Sequence, residues 1–175
     1  MIKEMAKIFL VAALLLTISA CEKQSCKNVS CPVGQACNSG KCFCADGYEG
    51  TNCDVESNTK YVTGYLGGSG YKDWQVYETC NSSSSNFPGY NSTITHNSSN
   101  PSEIEINNFF GRGTVYANIR TDQSNQGNIV EINTQDCGGV TVSGQGTYDV
   151  TNSRITFQLN YTLFGASYNC THTFY

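Results

Sequence analysis

The residues best suited to chemistry in this chain of 175 are its ten cysteines. Six of them crowd into one short stretch, spaced Cys26-x4-Cys31-x5-Cys37-x4-Cys42-x-Cys44-x8-Cys53. Thiols at that density either hold a metal as thiolates or cross-link as disulfides. Paired Cys-x2-Cys knuckles, the usual frame of a zinc site, do not occur. The stretch also lacks the makings of a core, its apolar residues being Val29, Val33, Ala36, Phe43, Ala45 and Tyr48. A segment this small needs staples to fold, and each bridge typically adds about 2–4 kcal/mol. Six cysteines allow fifteen pairings, and spacing alone does not choose among them.

Two further cysteines are placed by alternation. Cys80 continues the parity of Trp74 and Val76, and Cys170 that of Tyr168 and Phe174. A bridge between them would fasten the first and last strong strands. By chain entropy, a loop of roughly 90 residues is worth on the order of 4–5 kcal/mol, as an upper figure. Cys137, in the turn Asp136-Cys137-Gly138-Gly139, is the other candidate partner for Cys80.

Acid–base chemistry has few candidates. His96 ends a strand-like run, and His172 falls on the Cys170 face. No Gly-x-Ser-x-Gly elbow, paired-histidine metal motif or phosphate loop accompanies them. Glu103 and Glu105 share the exposed face of one strand, unlike a glycosidase pair, whose members flank a cleft. Glu78 differs, because its parity turns it inward near Trp74. Trp74, Glu78 and His172 therefore form the candidate ligand pocket. No catalytic residue, metal or cofactor is expected, and the chain reads as a non-enzyme.

These residues are positioned by strands. From Trp74 onward the hydrophobic period is two, clearest in Ile155-Phe157-Leu159-Tyr161-Leu163 against Thr156-Gln158-Asn160-Thr162. Such alternation marks strands with one buried face. Phe87-Pro88-Gly89, Asn100-Pro101, Gly111-Arg112-Gly113, Gly138-Gly139 and Thr151-Asn152-Ser153 separate them as turns. The expected fold class is all-β. Residues 74–175 would form an antiparallel barrel or sandwich of about eight strands with meander connections, needing no helix. Residues 55–73 read as linker and lead-in. Most strand runs span about five to seven residues, shorter than the roughly 9–11 that cross a bilayer.

Residues 1–21 read as an export signal. Lys3 and Lys7 precede the apolar run Ile8 to Leu16, which is too short to span a membrane. Its end, Ile18-Ser19-Ala20-Cys21, resembles the bacterial lipobox. The resemblance implies a lipidated Cys21 as mature terminus, with acyl chains holding the protein to a membrane. Localisation would then be periplasmic or at the outer membrane and cell surface. Lipidation of Cys21 would also leave Cys137 single. The net charge of −4, with 14% charged residues and no basic run, argues against nucleic acid as partner.

The run Cys42-Phe43-Cys44-Ala45-Asp46-Gly47-Tyr48-Glu49-Gly50-Thr51-Asn52-Cys53 resembles the second half of an epidermal-growth-factor-like module, here residues 22–54. That resemblance implies the pairs Cys26–Cys37, Cys31–Cys42 and Cys44–Cys53. Glu22-Lys23-Gln24-Ser25 does not match the calcium-binding version. Further on, Trp74-Gln75-Val76-Tyr77-Glu78-Thr79-Cys80, Asn107-Asn108-Phe109, Gly144-Gln145-Gly146-Thr147-Tyr148 and Cys170-Thr171-His172-Thr173 resemble small lipocalin-like domains of Bacteroidetes lipoproteins. The resemblance implies a barrel able to hold a ligand.

Two functions follow as expectations. The first is a tethered, non-enzymatic binding or adhesion protein, with the bridged module as a rigid spacer and a protein or glycan as partner. Exposed tyrosines such as Tyr77 and Tyr116 would suit such contact. This reading expects a filled interior. The alternative is a carrier of a small apolar ligand, which expects an internal cavity. A hydrolase is the third and weakest reading.

Overall fold

The structure, a computed structural model, describes residues 26–65, 68–80, 89–122 and 126–175. The export signal and the lipobox with Cys21 lie outside the described residues. Two compact units meet between Phe43 and Cys44, earlier than the boundary read at residue 54.

In the first unit, bridges join Cys26 to Cys37 and Cys31 to Cys42. Strands β1 (Gln35–Asn38) and β2 (Lys41–Cys44) pair across Ser39-Gly40. Both turn residues have positive φ, 50° and 80°. That is the requirement of the type I′ turn, whose twist matches a hairpin's.

The second unit begins with the Cys44–Cys53 bridge. Strands β3 (Tyr48–Glu49) and β4 (Val55–Glu56) pair within it. Gly47, at φ 86°, lies against the backbone of Pro101 and Ser102. A Cβ there would stand 2.5 Å from both, so only glycine fits this approach. Next comes the helix α1 (Asn58–Thr63), ended by Gly64 in the left-handed conformation. The stretch read as a linker thus contains a strand and a helix, where no helix was expected. The reason is tertiary: six residues are too few to hold a helix alone, but Tyr61 and Val62 are buried in the core. Tyr61 Oη donates to the Gly127 carbonyl at 2.6 Å, and Tyr148 Oη donates to the Gly64 carbonyl at 2.6 Å.

Eight strands then form a closed antiparallel barrel in chain order. They are β5 (Asp73–Cys80), β6 (Tyr90–Asn97), β7 (Asn100–Phe109), β8 (Gly113–Arg120), β9 (Ile129–Asp136), β10 (Thr141–Asp149), β11 (Arg154–Leu163) and β12 (Ala166–Phe174). Closure comes from β12 pairing with β5, from Cys170 opposite Cys80 to Phe174 opposite Val76. The expected class, an all-β chain with a bridged module and an antiparallel barrel, is the one observed. Each strand is eight to ten residues long, longer than the apolar runs suggested, because polar residues continue the ladders at both ends. Strand length therefore no longer argues against a lipid-facing barrel, but the faces do. Trp74, Val76, Ile94, Ile106, Phe157 and Phe174 point inward, while Gln75, Thr79, Gln158, Asn160 and Thr162 are exposed. A lipid-facing barrel carries the opposite pattern.

The two ends of the barrel differ. At the end holding Trp74, Phe174 and Tyr148, α1 packs across the opening, and Trp74 Nε1 donates to the Tyr61 carbonyl at 2.8 Å. The β3–β4 segment joins the same end. Arg120 pairs with Asp46 at 2.8 Å, and Thr121 Oγ1 donates to the Ala45 and Tyr48 carbonyls. Deeper, Lys60 Nζ meets Glu49 Oε2 at 2.8 Å and Asn128 Oδ1 at 2.6 Å, both charged side chains being almost fully buried. Burial holds the Lys60 ammonium below its ordinary range, although Glu49 opposes that shift. The other end carries the turns at 110–112, 137–140 and 164–165, with no helix laid across it among the described residues.

Candidate functional site

Glu78 sits on β5 and points inward, as strand parity requires. Its neighbours arrive from three strands. Tyr161 on β11 donates its hydroxyl to Glu78 Oε1 at 2.7 Å. His172 on β12, directly opposite Glu78 in register, brings Nε2 to 3.7 Å from Oε2. That is ion-pair reach, though longer than a hydrogen bond. Tyr90, at the start of β6, contacts His172 Nδ1 through its hydroxyl at 3.2 Å. A proton on Nε2 would face the carboxylate, leaving Nδ1 to accept from Tyr90. The imidazole is fully buried and stacked on Phe109, with centroids 5.6 Å apart.

Burial alone would raise the Glu78 carboxyl, but the facing His172 imidazole and the Tyr161 hydroxyl outweigh it. The net result is a carboxyl held below the ordinary glutamate range. Burial pushes the Tyr90 hydroxyl well up, and burial together with the Glu78 hydrogen bond does the same for Tyr161. The site thus contains an anion ringed by neutral phenols. The linkage sign follows from the depressed carboxyl. Glu78 contributes stability above the unfolded glutamate value of about 4.3, and this is lost as pH falls through the lower folded value. Denaturant melts of the wild type and Glu78→Gln across a pH series should therefore converge on acidification. Divergence in acid would contradict this electrostatic picture.

A cavity of about 220 Å³ opens beside this cluster, lined by Glu78, Tyr90, Phe110, Val140, Tyr161 and Leu163, with Arg112 at the rim. The eight-stranded barrel explains its size. Such a barrel is just wide enough for side chains to fill or for one small ligand. Among the described residues, side chains fill the Trp74 half and leave this cavity in the Glu78 half. Two sequence-level pocket residues, Glu78 and His172, come together. Trp74 does not join them, because it lies four residues along β5 from Glu78, about 13 Å at strand rise. Instead it is fully buried against α1 and Phe174, with Lys72 Nζ 3.8 Å from its ring centre. His96 is exposed on β6.

Cys80 and Cys170 are bridged, and Cys137 is a buried free thiol in the β9–β10 turn, raised by burial. Glu78 Oε1 lies 3.0 Å from Cys80 Sγ. A bridged sulfur carries no proton, so this is a packing contact and not a hydrogen bond. The donor atoms of Glu78, Cys80 and Cys170 fall within 4.8 Å of one another, but both sulfurs are committed to the bridge and neither can serve as a thiolate ligand. No serine, threonine or free thiol is hydrogen-bonded to His172 among the described residues, and the arrangement offers an ionic and hydrogen-bonding surface.

Phe110 and Tyr90 were missed in the sequence. Phe110 follows a register shift between Ile106 and Phe109, and both Asn108 and Phe110 have positive φ, 57° and 54°. A bulge of this kind re-aims side chains, so Phe109 and Phe110 both turn toward the interior. Tyr161 was legible from its place in the β11 alternation. Comparison with protein-family models, with curated proteins and with solved structures returns no match.

Proposed function

We propose that this chain is a lipid-tethered, extracytoplasmic binding protein whose barrel takes up one small amphipathic molecule at the Glu78 end. The observation that carries this reading is the cavity itself, which a solid interaction scaffold would not need. Its mixture of aromatic and aliphatic walls with a few convergent polar groups is the usual composition of a ligand site. At about 220 Å³ it exceeds the 150 Å³ that admits benzene in an apolar cavity, so it suits a single-ring molecule with a short arm. The tether rests on the lipobox residues through Cys21 and on the bridges, which suit an oxidising compartment.

Adhesion through outward tyrosines has weaker support. Tyr77 and Tyr116 are about half exposed, but they stand on β5 and β8, three strands apart around the barrel. At about 4.8 Å per strand they do not form one patch. Furthermore, the β3–β4 half of the module packs as part of the barrel's own unit, which leaves less of it to act as a spacer.

The test is a nuclear magnetic resonance titration of the protein with single-ring probes. Saturable shifts confined to Phe110, Val140, Tyr161 and Leu163, and abolished in a folded Val140→Trp variant that fills the cavity, are expected. Shifts spread over Tyr77, Tyr116 and Tyr175 would replace this reading with the surface-contact one.

A further inference from the structure

We infer that the cavity is an ammonium site, in which Tyr90, Phe110 and Tyr161 wall a cage closed by the Glu78 carboxylate around the primary or methylated ammonium group of a small organic cation. This rests on the cavity being a ligand site and adds the chemical class of the ligand.

The rings supply the first argument. A cation is attracted to the negative face of an aromatic ring within roughly 6 Å of its centre. Phe110 and Tyr161 have centroids 4.8 Å apart with planes inclined at 66°. Phe110 is inclined at 83° to His172, whose ring meets Tyr90 at 69°. The rings therefore stand as walls at steep angles and do not form one flat stack that would suit an intercalated planar ligand.

Glu78 supplies the second. Oε1 already accepts from Tyr161, whereas among the described residues Oε2 has only His172 opposite, at a distance beyond hydrogen bonding. That oxygen retains acceptor capacity beside the cavity. An ammonium group carries donors and no acceptor, which matches a carboxylate and two phenol oxygens. A neutral apolar ligand would dry the carboxylate without giving it a donor, and that costs free energy. An anion would meet like charge where water screens poorly.

Arg112 sets the outer limit. Its side chain is exposed at the rim, with Nη1 donating to the Gly138 carbonyl at 3.4 Å. A second cationic group at the outer end of the ligand is disfavoured there, whereas an apolar ring against Val140 and Leu163 is not. One ring bearing an aminomethyl or aminoethyl arm satisfies the volume, the walls and the charge together.

Three probes of nearly equal shape test this on the full chain: benzylammonium, benzyl alcohol and benzoate, followed by shifts at Phe110, Val140 and Tyr161. Benzylammonium should bind roughly tenfold or more tighter than benzyl alcohol, the scale of a charge-assisted hydrogen bond, with benzoate weakest. Glu78→Gln should bring amine and alcohol to similar affinity. Equal or tighter binding of the alcohol or of benzoate at the same residues would overturn the ammonium assignment while leaving a ligand cavity in place. If none of the three saturates there, the cavity reading falls with it. The ranking on the wild-type protein decides between these results even if the variant does not fold.

Discussion

Replacing Glu49 by alanine is expected to lower the unfolding free energy by about 3–5 kcal/mol, the range for stripping one partner from a buried ion pair. Glu49 Oε2 accepts from Lys60 Nζ at 2.8 Å and from the Gly127 backbone at 3.1 Å. Its removal would strand the Lys60 ammonium among the Tyr61 and Tyr148 rings, 5.6 and 5.3 Å from their centres, with Asn128 as its remaining hydrogen-bond acceptor among the described residues. It would also take the backbone partner from Gly127. The double variant Glu49→Leu with Lys60→Met should cost less than either single change, since it leaves no orphaned charge. Denaturant melts with the disulfides intact measure all three. A single-variant loss under about 1 kcal/mol would place the pair in the class of solvated surface bridges, and the closed end of the barrel would then need another explanation.

Replacing both Cys80 and Cys170 by alanine should also cost up to about 4–5 kcal/mol, given the separation of 90 residues that the bridge closes. The topology gives this bridge a second role. β5 pairs with β6 only from Asp73 to Val76, whereas its pairing with β12 runs on to Cys80. Among the described residues, 77–80, with Glu78 in their number, thus have a ladder partner on one side alone. The bridge pins that half-strand at its free end. The double variant should therefore lose stability and also broaden the resonances of Tyr161 and His172, which depend on where Glu78 stands. A variant with unchanged melting and sharp, unshifted resonances would show that the β5–β12 ladder suffices without the covalent tie.

How much of this was legible in the sequence depends on period. Where strands kept strict alternation, as in β11 and in β5 from Trp74 to Cys80, the inward set was readable, and so were Glu78 and the facing positions of Cys80 and Cys170. The same logic failed at bulges. Phe110 is inward because the register slips before it, and no periodicity in Asn107-Asn108-Phe109-Phe110 announces that slip. Trp74 was assigned the right face but grouped into one pocket with Glu78 and His172, since parity gives direction and says nothing of depth along the barrel. The helix α1 escaped notice because its six residues carry no helical repeat; it is held by burial and by hydrogen bonds to Trp74 of β5, Tyr148 of β10 and the segment before β9. The link between β3 and the barrel was hidden for a similar reason. Nothing in the spacing of Asp46 and Glu49 names a partner, and only the fold brings Arg120 and Lys60 to them.

Whether the barrel carries a ligand is decided by a native mass spectrum of the full chain taken gently from its own host. The expected result is a non-covalent adduct of small mass that leaves on denaturation, is displaced by benzylammonium, and is missing from the Val140→Trp variant. A bare protein mass that benzylammonium in excess does not shift would contradict it.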